Sequence, residues 1–241
     1  MVECRTSTRV SRALCARGGR GRLARTPKPS GRRTLTRPSR ETDLRRKQGV
    51  RDPADRILVV CGSEKTESDY LNGFKRHFKK RTVSLKILEK PGSTVEVVRD
   101  AIGVMDRAEG DYDQVWCVVD VDQYQDFDVA TPLARGRGVR LAVSNPCFEL
   151  WLLLHHDDHT APIADYRRLK VLLARHVRPS PGKGVNFDRD YADEALWRGA
   201  VERARKLARF GDEHTTNPST GVWRLALALH GLEVDNNAGS L

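Results

Sequence analysis

Nowhere in the 241 residues does an apolar run approach the roughly 20 residues that a membrane-spanning helix requires. The longest, Cys147–Leu154, is broken by Glu149 and runs into His155-His156-Asp157-Asp158, which is too short and too polar to cross a bilayer. The N-terminus carries arginines without a continuous apolar stretch, so the reading expects no secretory leader, no membrane contact and a cytoplasmic chain. Cysteines, at positions 4, 15, 61, 117 and 147, form no CxxC pair and no zinc-ligand spacing. Cys61, Cys117 and Cys147 lie among apolar neighbours and read as buried, reduced thiols. The GxxxxGK[ST] spacing of a phosphate-cradling loop is missing as well, which disfavours a nucleoside triphosphatase.

Acidic residues are scarce in one region only. Residues 1–50 hold 15 Lys and Arg against 3 Asp and Glu, whereas the rest of the chain is close to neutral. The net charge of +11 therefore belongs to a tail, not to a basic domain. Residues 1–52, with "RGGRGRLARTPKPSGRRTLTRPSR", show neither helical nor strand periodicity and read as a disordered basic tail. Such an arm can bind phosphates non-specifically, and a misplaced start of translation would give the same composition.

Residues 53–241 alternate between short apolar runs and amphipathic stretches. "RILVVC", "VSLKILE", "QVWCVVD" and "VRLAVS" read as four strands, with helices over Thr66–Lys80 and from Ser93 to Ala108 between the first three. Ser93 and Glu96 form a capping-box pattern. A loop containing Gly136 and Gly138 leads into the fourth strand. Helical connections of this length imply right-handed crossovers, hence an α/β core at 53–145 with a mostly parallel, four-stranded sheet. Residues 146–241 read as a helical C-terminal part: Phe148–His155, Ala164–Val177, Tyr191–Phe210 and Thr220–Leu232, the last capped by Ser219 or Thr220. "VRPSPGKGVNFD" reads as a surface loop.

Asp120 and Asp122 close the third strand in "VVDVDQ". Side chains at i and i+2 of a strand share a face, and ligands of open parallel sheets bind beyond the carboxyl ends of the strands. Two carboxylates held together repel, and a hard cation such as Mg²⁺ or Mn²⁺ removes the repulsion. The competing reading is a solvated, Asp-rich loop. "CGSEKTESDY" follows the first strand and carries Glu64 and Glu67; if strands one and three are adjacent, both lie beside the Asp pair. Their alternative role is to complement the dipole of a helix start. Glu149 opens a helix on the same edge and is a further candidate ligand. Asn145 can orient a phosphate or cap that helix, and Lys65 and Lys183 are candidate phosphate contacts. The His155–His159 cluster lacks a zinc spacing and reads as a solvated helix end.

Four blocks, "ILVVCGSEKTESDYLNGF", "VVDVDQ", "AVSNPCFELWLLLHH" and "NPSTGVWRLALAL", resemble the signature of the RloB-like family, over roughly residues 56–233. The resemblance implies a Toprim-like Rossmannoid fold and Mg²⁺-dependent phosphodiester chemistry on DNA or RNA. It also implies a locus concerned with restriction or abortive infection and a neighbouring AAA/ABC-type ATPase. In that family the first block usually has Cys-Glu-Gly-Glu-Lys-Thr-Glu, so the expected catalytic Glu falls on Gly62. Glu64 and Glu67, with Lys65, are then the catalytic candidates, and Asp120, Asp122 and Glu67 the metal ligands. The alternative is a catalytically inactive metal- and nucleic-acid-binding subunit that works with the ATPase.

Overall fold

The computed structural model describes residues 55–63, 65–79, 83–121, 124–178 and 184–232. The basic tail, Glu64, Asp122 and Lys183 lie outside the described residues.

β1 (Asp55–Cys61) is flanked by β2 (Val83–Glu89) and β3 (Gln114–Asp120), and β4 (Val139–Asn145) lies on the far side of β3. All three pairings are parallel, with Cys61 opposite Val118 and Asp120 opposite Ser144. Ile57–Cys61 and Val115–Val119 are almost wholly buried, as continuous apolar runs must be when both faces of a parallel sheet are covered. Alternation divides them. Ile57, Val59, Cys61, Trp116, Val118 and Ala142 join one apolar cluster, with α1 (Thr66–His77) and the C-terminal helices. Leu58, Val60, Val115, Cys117 and Val119 join another, with α2 (Thr94–Arg107) and α3 (Phe127–Gly136). The protein is an α/β fold with helices on both faces of a mostly parallel sheet, consistent with a Rossmann-like architecture.

The α2 capping box forms as the sequence suggests: Glu96 N–H donates to Ser93 Oγ at 3.3 Å and Ser93 N–H to Glu96 Oε2 at 2.8 Å. In α1, a Cβ on Gly73 would fall 2.1 Å from Cγ of Phe187. Only glycine lets that ring seat on the helix.

Among the described residues the sheet has five strands rather than four. β5 (Ser219–Thr220) adds antiparallel to β4, pairing Thr220 with Ser144 and Asn145 with Ser219. A two-residue strand is too short to carry a periodic signal. Ser219 and Thr220, read as caps, are thus strand residues, although Thr220 Oγ1 still accepts from Val222 N–H at 3.3 Å at the start of α8 (Val222–Leu229).

α3 occupies what reads as a loop. Pro132 lies inside this helix, where a proline removes one i→i−4 hydrogen bond and crowds the preceding turn, yet burial of Phe127, Ala130 and Ala134 at helical spacing holds the element together. The C-terminal part contains α4 (Glu149–Leu154), α5 (Tyr166–Leu173), α6 (Phe187–Asp190) and α7 (Glu194–Ala204). The single helix expected over Tyr191–Phe210 is α7 alone, because Asp193 accepts from Ala195 N–H at 2.8 Å and starts a new helix after α6.

Candidate active site at the carboxyl edge of the sheet

β1 and β3 are neighbours, so the turn after Cys61 lies beside the end of β3. Gly62 N–H extends the ladder by donating to Val118 O at 2.9 Å. Val121 N–H, one step beyond Asp120, donates to Ser144 O at 3.0 Å and Pro146 O at 3.2 Å. These bonds fix the backbone on both sides of Asp120.

Gly62, Ser63, Glu67, Thr94 and Asp120 line one cavity here, of about 10 Å³, room for a single water-sized guest. By strand alternation Asp120 shares a face with Val118 and Cys61, the side that carries α1. Glu67, the second residue of α1, is 1% exposed. Its Oε2 accepts from Ser63 N–H at 3.2 Å, while Oε1 is buried with no hydrogen-bond partner among the described residues. Burial pushes the Glu67 carboxyl up to about 8, and the nearby charge of Glu149 adds to this against the opposing hydrogen bonds from Ser63. Thus Glu67 holds a proton at neutral pH, although nothing in its sequence position sets it apart from an ordinary first-turn glutamate.

Gly62 itself has a definite orientation. A Cβ there would approach Val118 O at 3.3 Å, Val97 Cγ2 at 3.4 Å and Val119 Cγ1 at 3.5 Å. A side chain at this position would start out toward Val97 of α2, from the rim of the cavity that Glu67 and Asp120 also line.

Glu149 opens α4 and lines a second cavity, of about 130 Å³, together with Thr66, Tyr166, Lys170, Arg178 and Tyr191. Thr66 Oγ1 donates to Glu149 Oε1 at 3.4 Å. Lys65 precedes α1 and runs beside Gly184, and Asp69 Oδ2 accepts from Val185 N–H at 3.2 Å. The Asn145 amide donates to His214 O at 3.2 Å, so it ties the end of β4 to the segment before β5. Of the sequence-predicted residues, then, the structure brings Glu67 and Asp120 to one cavity and places Glu149 in its neighbour.

Some residues escaped the sequence reading. Asp126 Oδ2 accepts from Val95 N–H at 2.9 Å and secures the start of α2 from another loop. Burial opposes its ionisation, but that bond and those from Thr94 and Ser93 prevail and hold the carboxyl below its usual range. Tyr166 and Tyr191 meet around the second cavity only through the packing of α5 and α6, which no local pattern encodes.

The histidine cluster is not a solvated end. His155 is 1% exposed; its Nδ1–H donates to Trp151 O at 2.8 Å, which leaves Nε2 to accept from Tyr70 OH at 3.0 Å. Burial drives its pKa down to about 3, so the ring stays neutral. Its neighbour His156 instead stacks on His176, centroids 5.9 Å apart. Among the described residues no three His, Cys, Asp or Glu side chains are grouped to hold a metal ion, and no helix is long and apolar enough to cross a membrane.

An open, mostly parallel sheet with acidic side chains at its carboxyl edge defines an α/β protein whose candidate site lies at the edge where such folds bind ligands. The chain belongs to the RloB-like family: the family model described as RloB-like protein matches residues 57–229. No curated protein and no solved structure matches the chain.

Proposed function

We propose that the protein is a Mg²⁺- or Mn²⁺-dependent nucleic-acid phosphodiesterase of Toprim type, acting on DNA or RNA in phage defence. The observation that carries this reading is Glu67: a buried carboxyl with an unpartnered Oε1, lining the same cavity as Asp120 at the carboxyl edge of the sheet. An orphaned oxygen beside a second carboxylate is the donor chemistry a hard cation takes, so the residues fit one. Asp120 and Glu67 would hold it, with Asp122 two residues further along the chain. When bound, the cation polarises a phosphoryl oxygen and lowers the pKa of water.

Without the cation, burial raises the Glu67 carboxyl toward its protonated form; as a ligand it would give up that proton, so its role is to present the buried Oε1 to the metal. Asp120 stays fixed by the backbone bonds on either side of it. Lys65, at the start of α1, offsets phosphate charge. Cleavage of DNA and RNA in Mg²⁺ is the test, comparing wild type with Asp120→Ala/Asp122→Ala. Loss of cleavage in the variant is expected, and equal residual cleavage by both would sink the assignment.

Gly62 favours a second reading, a metal- and nucleic-acid-binding subunit that works with an AAA/ABC-type ATPase. Calorimetric binding of Mn²⁺ without turnover in the presence of DNA or RNA would select it.

A further inference from the structure

The second cavity has a composition that a purely structural gap between helices does not require. Thr66, which is buried, and Glu149, which is half-buried, line it side by side, joined by the Thr66 hydroxyl bond to Glu149 Oε1. Two phenol rings, the half-buried Tyr166 and the buried Tyr191, contribute to its walls, and both feel the Glu149 charge. The exposed part of the lining includes two cations, Lys170 and Arg178, beside Ala174 and Asn186, and the half-buried Asp190 adds a second carboxylate that is already paired with Arg189. Carboxylate, aromatic and cationic groups thus share one lining, with the cations among its exposed members.

We propose that this cavity is a guanine-nucleotide subsite, with Glu149 reading the base and Lys170 and Arg178 meeting the phosphate. Aromatic rings favour a flat, π-faced body, and stacking on them is tolerant of base identity. The acid supplies the discrimination. A carboxylate accepts hydrogen bonds through two oxygens and donates none. Of the four common bases, guanine alone presents two adjacent donors, its ring N–H and its amino group, on the pairing edge. Adenine and cytosine set a donor beside an acceptor, and uracil flanks its one N–H with carbonyls. Exposed Lys170 and Arg178 then favour an anionic group attached to that base.

The subsite rests on the nucleic-acid reading in that its nucleotide would be part of a strand. Thr66 and Glu67 are consecutive and line the two cavities, so a base in one brings its backbone toward the other.

GMP, AMP, CMP and UMP are titrated calorimetrically into the full chain in EDTA, without metal. GMP should bind on the order of tenfold more tightly than the others, the discrimination typical of one two-point base contact. Glu149→Gln, which replaces one acceptor with a donor, should erase the preference, and the exposed Lys170→Ala should weaken all four alike. Asp120→Asn should leave GMP binding intact. Equal affinity for the four nucleotides, no binding at millimolar concentration, a preference that survives Glu149→Gln, or loss of GMP binding in a folded Asp120→Asn protein would each overturn the subsite. GMP binding by a protein that cleaves nothing would uphold the subsite and remove the nuclease reading. Cleavage without GMP binding would do the reverse.

Discussion

Thr66 and Glu67 are consecutive residues that line different cavities: Thr66 donates to Glu149 across one, and Glu67 shares the lining of the other with Asp120. Successive helical residues are about 100° apart around the axis, so a single first turn can face two sites. The turn after β1 and the start of α1 thereby join the sheet edge to the C-terminal helices. A change at either residue should be felt in its own cavity first.

Glu67 should impose a measurable pH dependence on stability. Its folded pKa, about 8, lies above the ordinary value of 4.5. A carboxyl raised in this way contributes stability that is fully present below 4.5 and is lost as pH rises toward 8, because the unfolded chain ionises first. The full span corresponds to at most roughly 4–5 kcal/mol. Urea unfolding between pH 4.5 and 8.5 should show wild-type stability falling relative to Glu67→Gln across that range. Parallel profiles for the two proteins would contradict the buried, protonated acid.

Gly62→Glu tests the missing carboxylate directly. Its Cβ meets Val118 O, Val97 and Val119 at 3.3–3.5 Å, so the neighbours must yield by a few tenths of an ångström. The variant should fold, with a cost of about 1–2 kcal/mol as for mild overpacking. Thermal unfolding reads that cost as a fall of several degrees. Under the phosphodiesterase proposal, Mg²⁺-dependent cleavage should rise. A folded variant whose cleavage equals that of wild type would mean that Glu67 already does the work, or that the scaffold does none.

The parallel sheet was legible because buried strands are continuous apolar runs separated by helix-length connections, as "RILVVC" and "QVWCVVD" show. Neighbouring placement of β1 and β3 was only a condition of the reading, which no sequence pattern decides; their pairing meets it and puts Asp120 beside the turn beyond Cys61. What stayed hidden was set by tertiary contact. Glu67 looks like any first-turn acid until burial raises its pKa, and His155 looks solvated until Tyr70 packs on it. β5 is only two residues of hydroxyl side chains, and α3 is masked by Thr131-Pro132.

Tyr70→Phe should destabilise the protein by about 1–3 kcal/mol, although it removes a single oxygen. The Tyr70 hydroxyl satisfies Nε2 of a buried His155 whose other nitrogen is committed to Trp151 O. Protonating His155 gives no escape, since burial holds its pKa near 3. Denaturant midpoints at pH 7 measure the loss. A change below about 0.5 kcal/mol would show that the histidine finds another partner.

The last prediction concerns a buried ion pair that holds the fifth strand. Arg224 Nη1 lies 2.6 Å from Glu213 Oε1, with both side chains about 5% exposed or less. The guanidinium also lies over Phe210, 4.4 Å from the ring centre, and Glu213 Oε2 accepts from Gly211 N–H at 2.9 Å. Glu213 O accepts from Ser219 Oγ at 2.7 Å, and Gly221 N–H donates to Val143 O at 2.7 Å, so the pair adjoins the junction of β5 with β4. Removing one partner strands a buried charge, which costs about 3–5 kcal/mol, whereas replacing both with apolar side chains costs much less. Arg224→Met should therefore be strongly destabilised in urea, and Glu213→Leu/Arg224→Met should recover part of the loss. Amide exchange at Gly221 should accelerate in the single variant. Because β5 pairs with Ser144, which stands opposite Asp120 in the sheet, cleavage should, under the phosphodiesterase proposal, fall with it. Unchanged exchange at Gly221 in a destabilised Arg224→Met protein would detach the ion pair from the strand it adjoins.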